Sequence, residues 1–243
     1  ELAVAKAASS TKTLMILSSV SHYTIEEVSK VSQGPLWFQL YHRGKEMTTM
    51  LVRRAENAGY AAICLTVDVP LTLYKEQDVR NAFQPPKGAK LGNFENPEAI
   101  KLIGKSDPSS FWSQPPIEQL TFKQLDWLRS LTSLPLVIKG IRTPGDARLC
   151  IEQGVDGLLV SNHGGRQVDN TLSSIETLPS IVEVVKGRAE IYLDSGVRRG
   201  SDVLKALSLG ARAVGFGRPT FWGLALDGTR GVERVINIVR DEL

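Results

Sequence analysis

Gly157-Leu158-Leu159-Val160-Ser161-Asn162-His163-Gly164-Gly165-Arg166-Gln167-Val168-Asp169 is an apolar run that turns abruptly polar. Residues 157–160 read as a parallel strand buried on both faces, because a strand covered on one side only would alternate apolar with polar residues. The strand therefore ends near Ser161, and a loop begins at His163. In an α/β barrel, the C-terminal ends of the strands carry the chemistry. His163 and Arg166 stand three residues apart, joined by two glycines, so both can face one small anion. An imidazole there can move a proton, and a guanidinium can hold a carboxylate in a planar fork.

The same strand-then-helix unit recurs on both sides of this stretch. The pattern predicts strands at 14–19, 36–41, 62–68, 136–140, 157–161, 191–194 and 213–217. Helices are expected at 1–10, after Thr24, and at 44–58, 122–131, 144–153, 175–185, 200–209 and from 221 onward. Thr24 with Glu27 three residues later reads as a capping box, and Pro144 sits in the first turn of its helix. Regular β/α alternation gives a parallel sheet with right-handed crossovers. The predicted fold class is therefore α/β, a (β/α)8 TIM barrel. A closed barrel has eight strands, and this pattern opens on a helix with about seven strands to follow. The expectation is a barrel that lacks its N-terminal segment and first strand. An open doubly wound sheet is the alternative. Residues 1–243 read as one domain, interrupted at about 70–116 by a stretch rich in proline and glycine that reads as a lid-like loop.

Composition narrows the function classes. Lys and Arg total 29 against 26 Asp and Glu, a net charge of +3, and the basic residues fall in pairs such as Arg53-Arg54 and Arg198-Arg199. Pairs without basic runs argue against nucleic-acid binding. No stretch of 18 apolar residues exists, so no membrane span is expected. Cys64 lies in a strand pattern and Cys150 in a helix pattern. Both read as buried free thiols of a reducing compartment, which places the protein in the cytoplasm. No metal site is expected.

The predicted strand ends share one property: nearly all are polar. They carry Ser18, Gln39 and Tyr41, Thr66 and Asp68, Lys139, His163 and Arg166, Asp194 and Arg198, and Gly217 with Arg218. Core strands have no need of such a ring. After the last two strands come Asp194-Ser195-Gly196-Val197-Arg198-Arg199-Gly200 and Gly215-Phe216-Gly217-Arg218-Pro219. Glycine backbone and arginine after strands seven and eight suit a phosphate, since amide N–H groups can approach its oxygens and arginine adds charge-assisted bonds.

These motifs, together with Phe-Gln-Leu-Tyr at 38–41, Leu-Thr-Val-Asp at 65–68 and Val-Ile-Lys-Gly at 137–140, resemble the FMN-dependent α-hydroxy-acid oxidase/dehydrogenase family, whose members include glycolate oxidase, lactate oxidase and mandelate dehydrogenase. The resemblance runs over essentially the whole chain. It implies FMN as cofactor, with its phosphate region held by Asp194, Ser195, Gly196, Arg198, Gly217 and Arg218. Ser18, Gln39 and Thr66 would meet the flavin ring, and Lys139 would stabilise the negative charge of the reduced ring. His163 would be the general base, on either a carbanion or a hydride route, and Asp68 would stabilise the imidazolium. Arg166 would clamp the substrate carboxylate, and Tyr41 would donate to the substrate. The implied reaction is oxidation of an L-2-hydroxy acid to the 2-oxo acid, with oxygen or another electron acceptor, in a homotetramer.

Two positions depart from the family pattern. In Pro70-Leu71-Thr72-Leu73-Tyr74-Lys75-Glu76, Lys75 stands where the family has a substrate-assisting arginine, and Leu73 where it has glycine. Lysine keeps the charge without the fork. Val20 stands at a pocket position that is often larger, which leaves room for a lactate-like or bulkier substrate. A second functional reading is a truncated or engineered barrel that holds flavin or phosphate without turnover.

Overall fold

The computed structural model describes residues 1–69, 76–84, 86, 88–103 and 120–243. Its centre is a parallel sheet of seven strands: β1 (Met15–Ser18), β2 (Leu36–Leu40), β3 (Ala62–Thr66), β4 (Leu136–Ile141), β5 (Gly157–Val160), β6 (Glu190–Leu193) and β7 (Ala213–Val214). Each strand pairs in parallel with the next in sequence, and the spatial order is β1 through β7 without reversal. A doubly wound sheet reverses its order at a switch point. This one does not, so the open-sheet alternative is excluded.

Two observations show that the sheet curls. Trp37 of β2 and Tyr192 of β6, four strands apart in the sheet, meet edge to face with ring centroids 5.1 Å apart. The helix before the first strand, α1 (Leu2–Ser10), packs on the helix after the last, α10 (Arg218–Asp241). Ala7, Val232 and Ile236 form that contact, and Arg240 donates to the Thr11 carbonyl at 2.7 Å. Ser10 also donates to Glu233. Opposite ends of the strand order are thus brought side by side. The fold is an α/β barrel of the (β/α)8 type with seven strands among the described residues.

The helices α2 (Ile25–Val31), α3 (Lys45–Asn57), α6 (Phe122–Leu131), α7 (Pro144–Glu152), α8 (Ser174–Val185) and α9 (Gly200–Ser208) alternate with the strands as expected, and two short helices, α4 (Glu76–Arg80) and α5 (Pro97–Ile103), lie between β3 and α6 where no helix was expected. The Thr24–Glu27 capping box is formed in both directions, at 3.1 Å and 2.8 Å. The large core lies between the outer face of the sheet and the helices, with Leu17, Phe38, Leu40, Ile63, Leu65 and Ile138 fully buried. A smaller cluster of Cys64, Val137 and Leu159, flanked by Trp37 and Tyr192, fills the inside of the curl. Side chains two residues apart on a strand point the same way. One step beyond this inner layer therefore come Gln39, Thr66, Lys139, Ser161 and Asp194, with Ser18 beside Gln39 in register.

Four local features differ from the sequence expectation. β7 is two residues long, and α10 starts at Arg218 where 221 was expected, with Pro219 in its first turn. Proline is pre-set for that position because its missing N–H has no partner there anyway. α10 is also broken at Asp227 and Gly228, whose backbones leave the helical region. Finally, within the stretch expected to be a lid-like loop, residues 91–103 are packed. Leu91, Asn93, Phe94 and Ala99 are buried. Asn93 accepts from Ile25 N at 2.9 Å and donates to the Ser19 carbonyl and to Ser21, at 3.1 Å and 3.2 Å. One amide side chain thus ties this segment to the loop that follows β1.

Candidate active site

The site lies at the C-terminal ends of β2 to β6, where parallel strands deliver side chains from distant parts of the sequence. Asp68 follows β3, and His163 follows β5. Their side chains meet at 2.9 Å between Asp68 Oδ1 and His163 Nδ1. A carboxylate only accepts hydrogen bonds, so the shared hydrogen belongs to Nδ1. In the neutral imidazole Nε2 is then the acceptor, and Tyr41 Oη makes a long 3.5 Å contact with it. Burial, and after it the charge of Asp68, pushes the Tyr41 hydroxyl up to about 12, opposed by Arg43 and Arg166. Tyr41 is therefore a protonated donor at neutral pH.

Asp68 is almost wholly buried, and this depends on a glycine. Gly140 interrupts the ladder of β4, where the register with β5 shifts between Lys139 and Ile141. Its φ is +109°, and a Cβ there would stand 2.6 Å from Asp68 Cβ. Only glycine lets the two loops come this close. Behind Asp68, Lys139 Nζ lies 4.0 Å from its Oδ2, 3.7 Å from Asp194 Oδ2, and donates to Ser161 Oγ at 3.0 Å.

His163 has φ +58°, a left-handed backbone that is costly for a residue with a Cβ. Gly164 and Gly165 follow at +69° and +70°. The loop is held from several sides. His163 N donates to Ser161 Oγ at 3.0 Å, Gly164 N to Ser195 Oγ at 2.9 Å, and Gly165 N to Asn162 Oδ1 at 3.0 Å. Arg218 Nη2 donates to the Gly164 carbonyl at 2.8 Å. Arg166 is exposed at the rim, and its charge is felt at Tyr41. Lys75 lies outside the described residues.

A second row runs along the first three strands. Ser18 donates to Gln39 Oε1 at 3.0 Å, and Gln39 Nε2 donates to Thr66 Oγ1 at 2.7 Å. These neutral groups continue toward Lys139, which is in register with Thr66. Past β6 and β7 lie two glycine positions with open space. Gly196 has φ +80°, and neither it nor Gly217 has an atom within 4 Å of where a Cβ would stand. Arg198 lies over the Trp222 ring at 5.2 Å, and Gly217 caps α10, so helix amides point at this corner. Open backbone, helix amides and two arginines suit a phosphate, and the polar row suits a planar heteroaromatic ring. The donor set therefore fits FMN.

Motif reading from the sequence missed Ser161, which accepts from both Lys139 and the His163 amide, and Gly140, whose role depends on a neighbour 72 positions away. It also treated Cys64 only as a thiol. Cys64 lies under the polar row, fully buried, and burial pushes it up to about 12, so it is an inert packing group. Among the described residues no cluster of three or more potential metal ligands exists, and no helix is long and apolar enough to cross a membrane.

The chain is similar to known proteins along its whole length. The chain is 46% identical over 251 residues to an L-lactate oxidase of Nostoc sp., covering 100% of this chain and 69% of that protein. It is 45% identical over 249 residues to 2-hydroxyacid oxidase 1 of Mus musculus, covering 100% and 67%. Among solved structures, mandelate oxidase with (S)-2-phenylpropionate superposes with a TM-score of 0.88 at 39% identity, covering 99% of this chain and 66% of that one. The chain thus spans about two thirds of the length of these relatives. With residues 1–243 all matching it, the chain belongs to the FMN-dependent dehydrogenase family.

Proposed function

We propose that this chain carries the base, the carboxylate clamp and most of the flavin contacts of an FMN-dependent 2-hydroxy-acid oxidase, acting on an L-2-hydroxy acid of lactate size or larger. The observation that carries this reading is the Asp68–His163–Tyr41 array, a carboxylate-oriented imidazole whose Nε2 faces a phenol. Asp194, the backbone amide of Ser195, Gly196, Arg198, Gly217 and Arg218 would hold the phosphate region of FMN, and Ser18, Gln39, Thr66 and Lys139 its ring. When bound, FMN supplies a two-electron acceptor.

Arg166, exposed at the mouth, takes the substrate carboxylate in a bidentate pair. Lys75 would assist, as the family resemblance implies. Tyr41 donates a hydrogen bond to the substrate and fixes its orientation. His163 Nε2 takes the proton that the substrate loses, and Asp68 stabilises the resulting imidazolium through Nδ1–H. Lys139, beside Asp68 and Asp194, would offset negative charge on the ring of bound FMN. In sum, the L-2-hydroxy acid loses two electrons and two protons and leaves as the 2-oxo acid. Oxygen as the final acceptor, a homotetrameric assembly and a cytoplasmic location complete the reading. The last is supported by the two buried free thiols.

The test is anaerobic mixing of the FMN-loaded chain with glycolate and with L- and D-lactate and mandelate. The expected result is bleaching of the flavin colour by the L-acids and peroxide release on admitting air. Failure to take up FMN, or bleaching by the D-acids alone, would overturn the reading.

A further inference from the structure

We infer that Ser195 is a positioning residue for His163: its side chain holds the loop after β5 and is not available to a phosphate. This inference rests on the reading of His163 as the base. It narrows the expectation that Ser195 helps hold the phosphate region of FMN, leaving that role to its backbone amide. The argument is one of hydrogen-bond capacity. A serine hydroxyl has one hydrogen and two lone pairs. Ser195 Oγ donates its hydrogen to Asp194 Oδ1 at 2.8 Å and accepts from Gly164 N at 2.9 Å and, as the longer branch of a bond shared with Ser174 Oγ at 3.2 Å, from Asn162 N at 3.3 Å. Ser161 Oγ stands at 3.5 Å. The protein alone supplies a partner for the hydrogen and for each lone pair, so a phosphate oxygen would have to displace one of them.

The two amides it receives flank His163 on either side. That residue and the two after it are all left-handed, at φ +58°, +69° and +70°. Left-handed residues normally occur singly, so three in a row need external anchors. Ser195 is such an anchor, and it crosses from the loop after β6 to the loop after β5. It also closes a ring of contacts. Asp194 faces Lys139 at 3.7 Å, Lys139 faces Asp68 at 4.0 Å, and Asp68 receives His163 at 2.9 Å. The imidazole itself meets Asp68 and Tyr41, with Lys139 and Asp194 behind Asp68, the charges of Arg43 and Arg166 felt at Tyr41, and Arg218 on the Gly164 carbonyl. A change at Ser195 reaches the imidazole through the backbone of Gly164 and through Asp194.

The test uses the chain without FMN, so it is independent of turnover. The His163 imidazole is titrated by NMR in the wild type and in Ser195→Ala, its signal assigned by its loss in His163→Gln. Gly164 amide exchange and FMN affinity, from fluorescence quenching, are measured on the same samples. Alanine removes the hydroxyl while keeping the Cβ and its left-handed backbone. The expected result is a shift of the His163 midpoint by about 0.5 or more and Gly164 exchange about ten-fold faster. FMN affinity should stay within about two-fold, since the Ser195 amide remains in place. Unchanged titration and exchange with FMN binding weakened about ten-fold or more would overturn the inference and make the hydroxyl a phosphate ligand. If Ser195→Ala does not fold, the wild type decides alone. A Gly164 amide protected from exchange without FMN supports the anchor, and exchange at the rate of an open loop overturns it. A wild type that binds FMN but turns nothing over would bear on the proposed function and leave this result untouched.

Discussion

Two aspartates occupy opposite ends of the barrel, and they are treated in opposite ways. Asp156 precedes β5, at the N-terminal end of the strands. Its side chain is 41% exposed, yet it accepts from both Arg129 Nη atoms at 2.6 Å and 3.2 Å and from Leu136 N at 2.7 Å. Asp68 follows β3, at the C-terminal end. Its side chain is 2% exposed, where desolvation makes missing partners most costly, yet among the described residues it receives a single hydrogen bond, from His163. Among the described residues nothing hydrogen-bonds to its Oδ2, and Lys139 stands off at 4.0 Å. Selection for stability alone would saturate the buried carboxylate first. The N-terminal end is built to hold the sheet together, and on the proposed function the C-terminal end keeps electrostatic capacity for a charge that would develop on His163.

If this contrast is right, the largest effects on chemistry come from the C-terminal end. Asp68→Asn and His163→Gln should each slow flavin reduction by about 10²–10⁴-fold. FMN uptake should be retained, because neither residue belongs to the phosphate corner. Asparagine keeps the shape of Asp68 but cannot stabilise the imidazolium. Stopped-flow absorbance checks both variants at matched occupancy.

Gly140→Ala should come next and should affect both chemistry and stability. A Cβ at φ +109° and 2.6 Å from Asp68 Cβ has nowhere to go. The strained backbone alone costs about 1–3 kcal/mol. Thermal unfolding should show that loss, and the His163 NMR titration should move with it because Asp68 is displaced. A stability loss with an unmoved titration would mean that the glycine serves the fold only.

Asp156→Ala should do the reverse. Losing an exposed, well-formed ion pair and one backbone bond costs about 1–2 kcal/mol. For a domain of this size that lowers Tm by roughly 2–8 °C, with flavin reduction unchanged. The smallest effect is on pH dependence. Arg129 holds Asp156 below the ordinary value of 3.8, and Arg54 holds Glu26 below 4.5. Because these folded values are depressed, the stability they contribute is complete above about pH 5 and is lost as pH falls through the folded values. Urea unfolding should show this loss below pH 4.5 in the wild type, and a smaller one in Asp156→Ala.

Much of this was legible from sequence, for identifiable reasons. Fully apolar runs such as 157–160 mark strands buried on both faces, so the strand ends and the polar ring on them could be placed. Helix starts with local chemistry, such as Thr24 and Glu27, were also readable because the interaction spans three residues. The Asp68–His163 contact spans 95 positions, and only resemblance suggested it. Asn93 stayed hidden because it sits in a proline- and glycine-rich stretch without periodicity. The roles of Gly140 and Ser195 depend on close approach and on hydrogen-bond saturation. Both are properties of packing, and neither leaves a pattern in the chain.

The central claim is that the proton leaving the substrate goes to His163 at the C-terminal end of the barrel. The most direct measurement is the anaerobic rate of flavin reduction by L-lactate in FMN-loaded wild type and His163→Gln at equal flavin occupancy. The account predicts bleaching in the wild type and a rate lower by about 10²–10⁴-fold in the variant. Equal rates in the two proteins would contradict it.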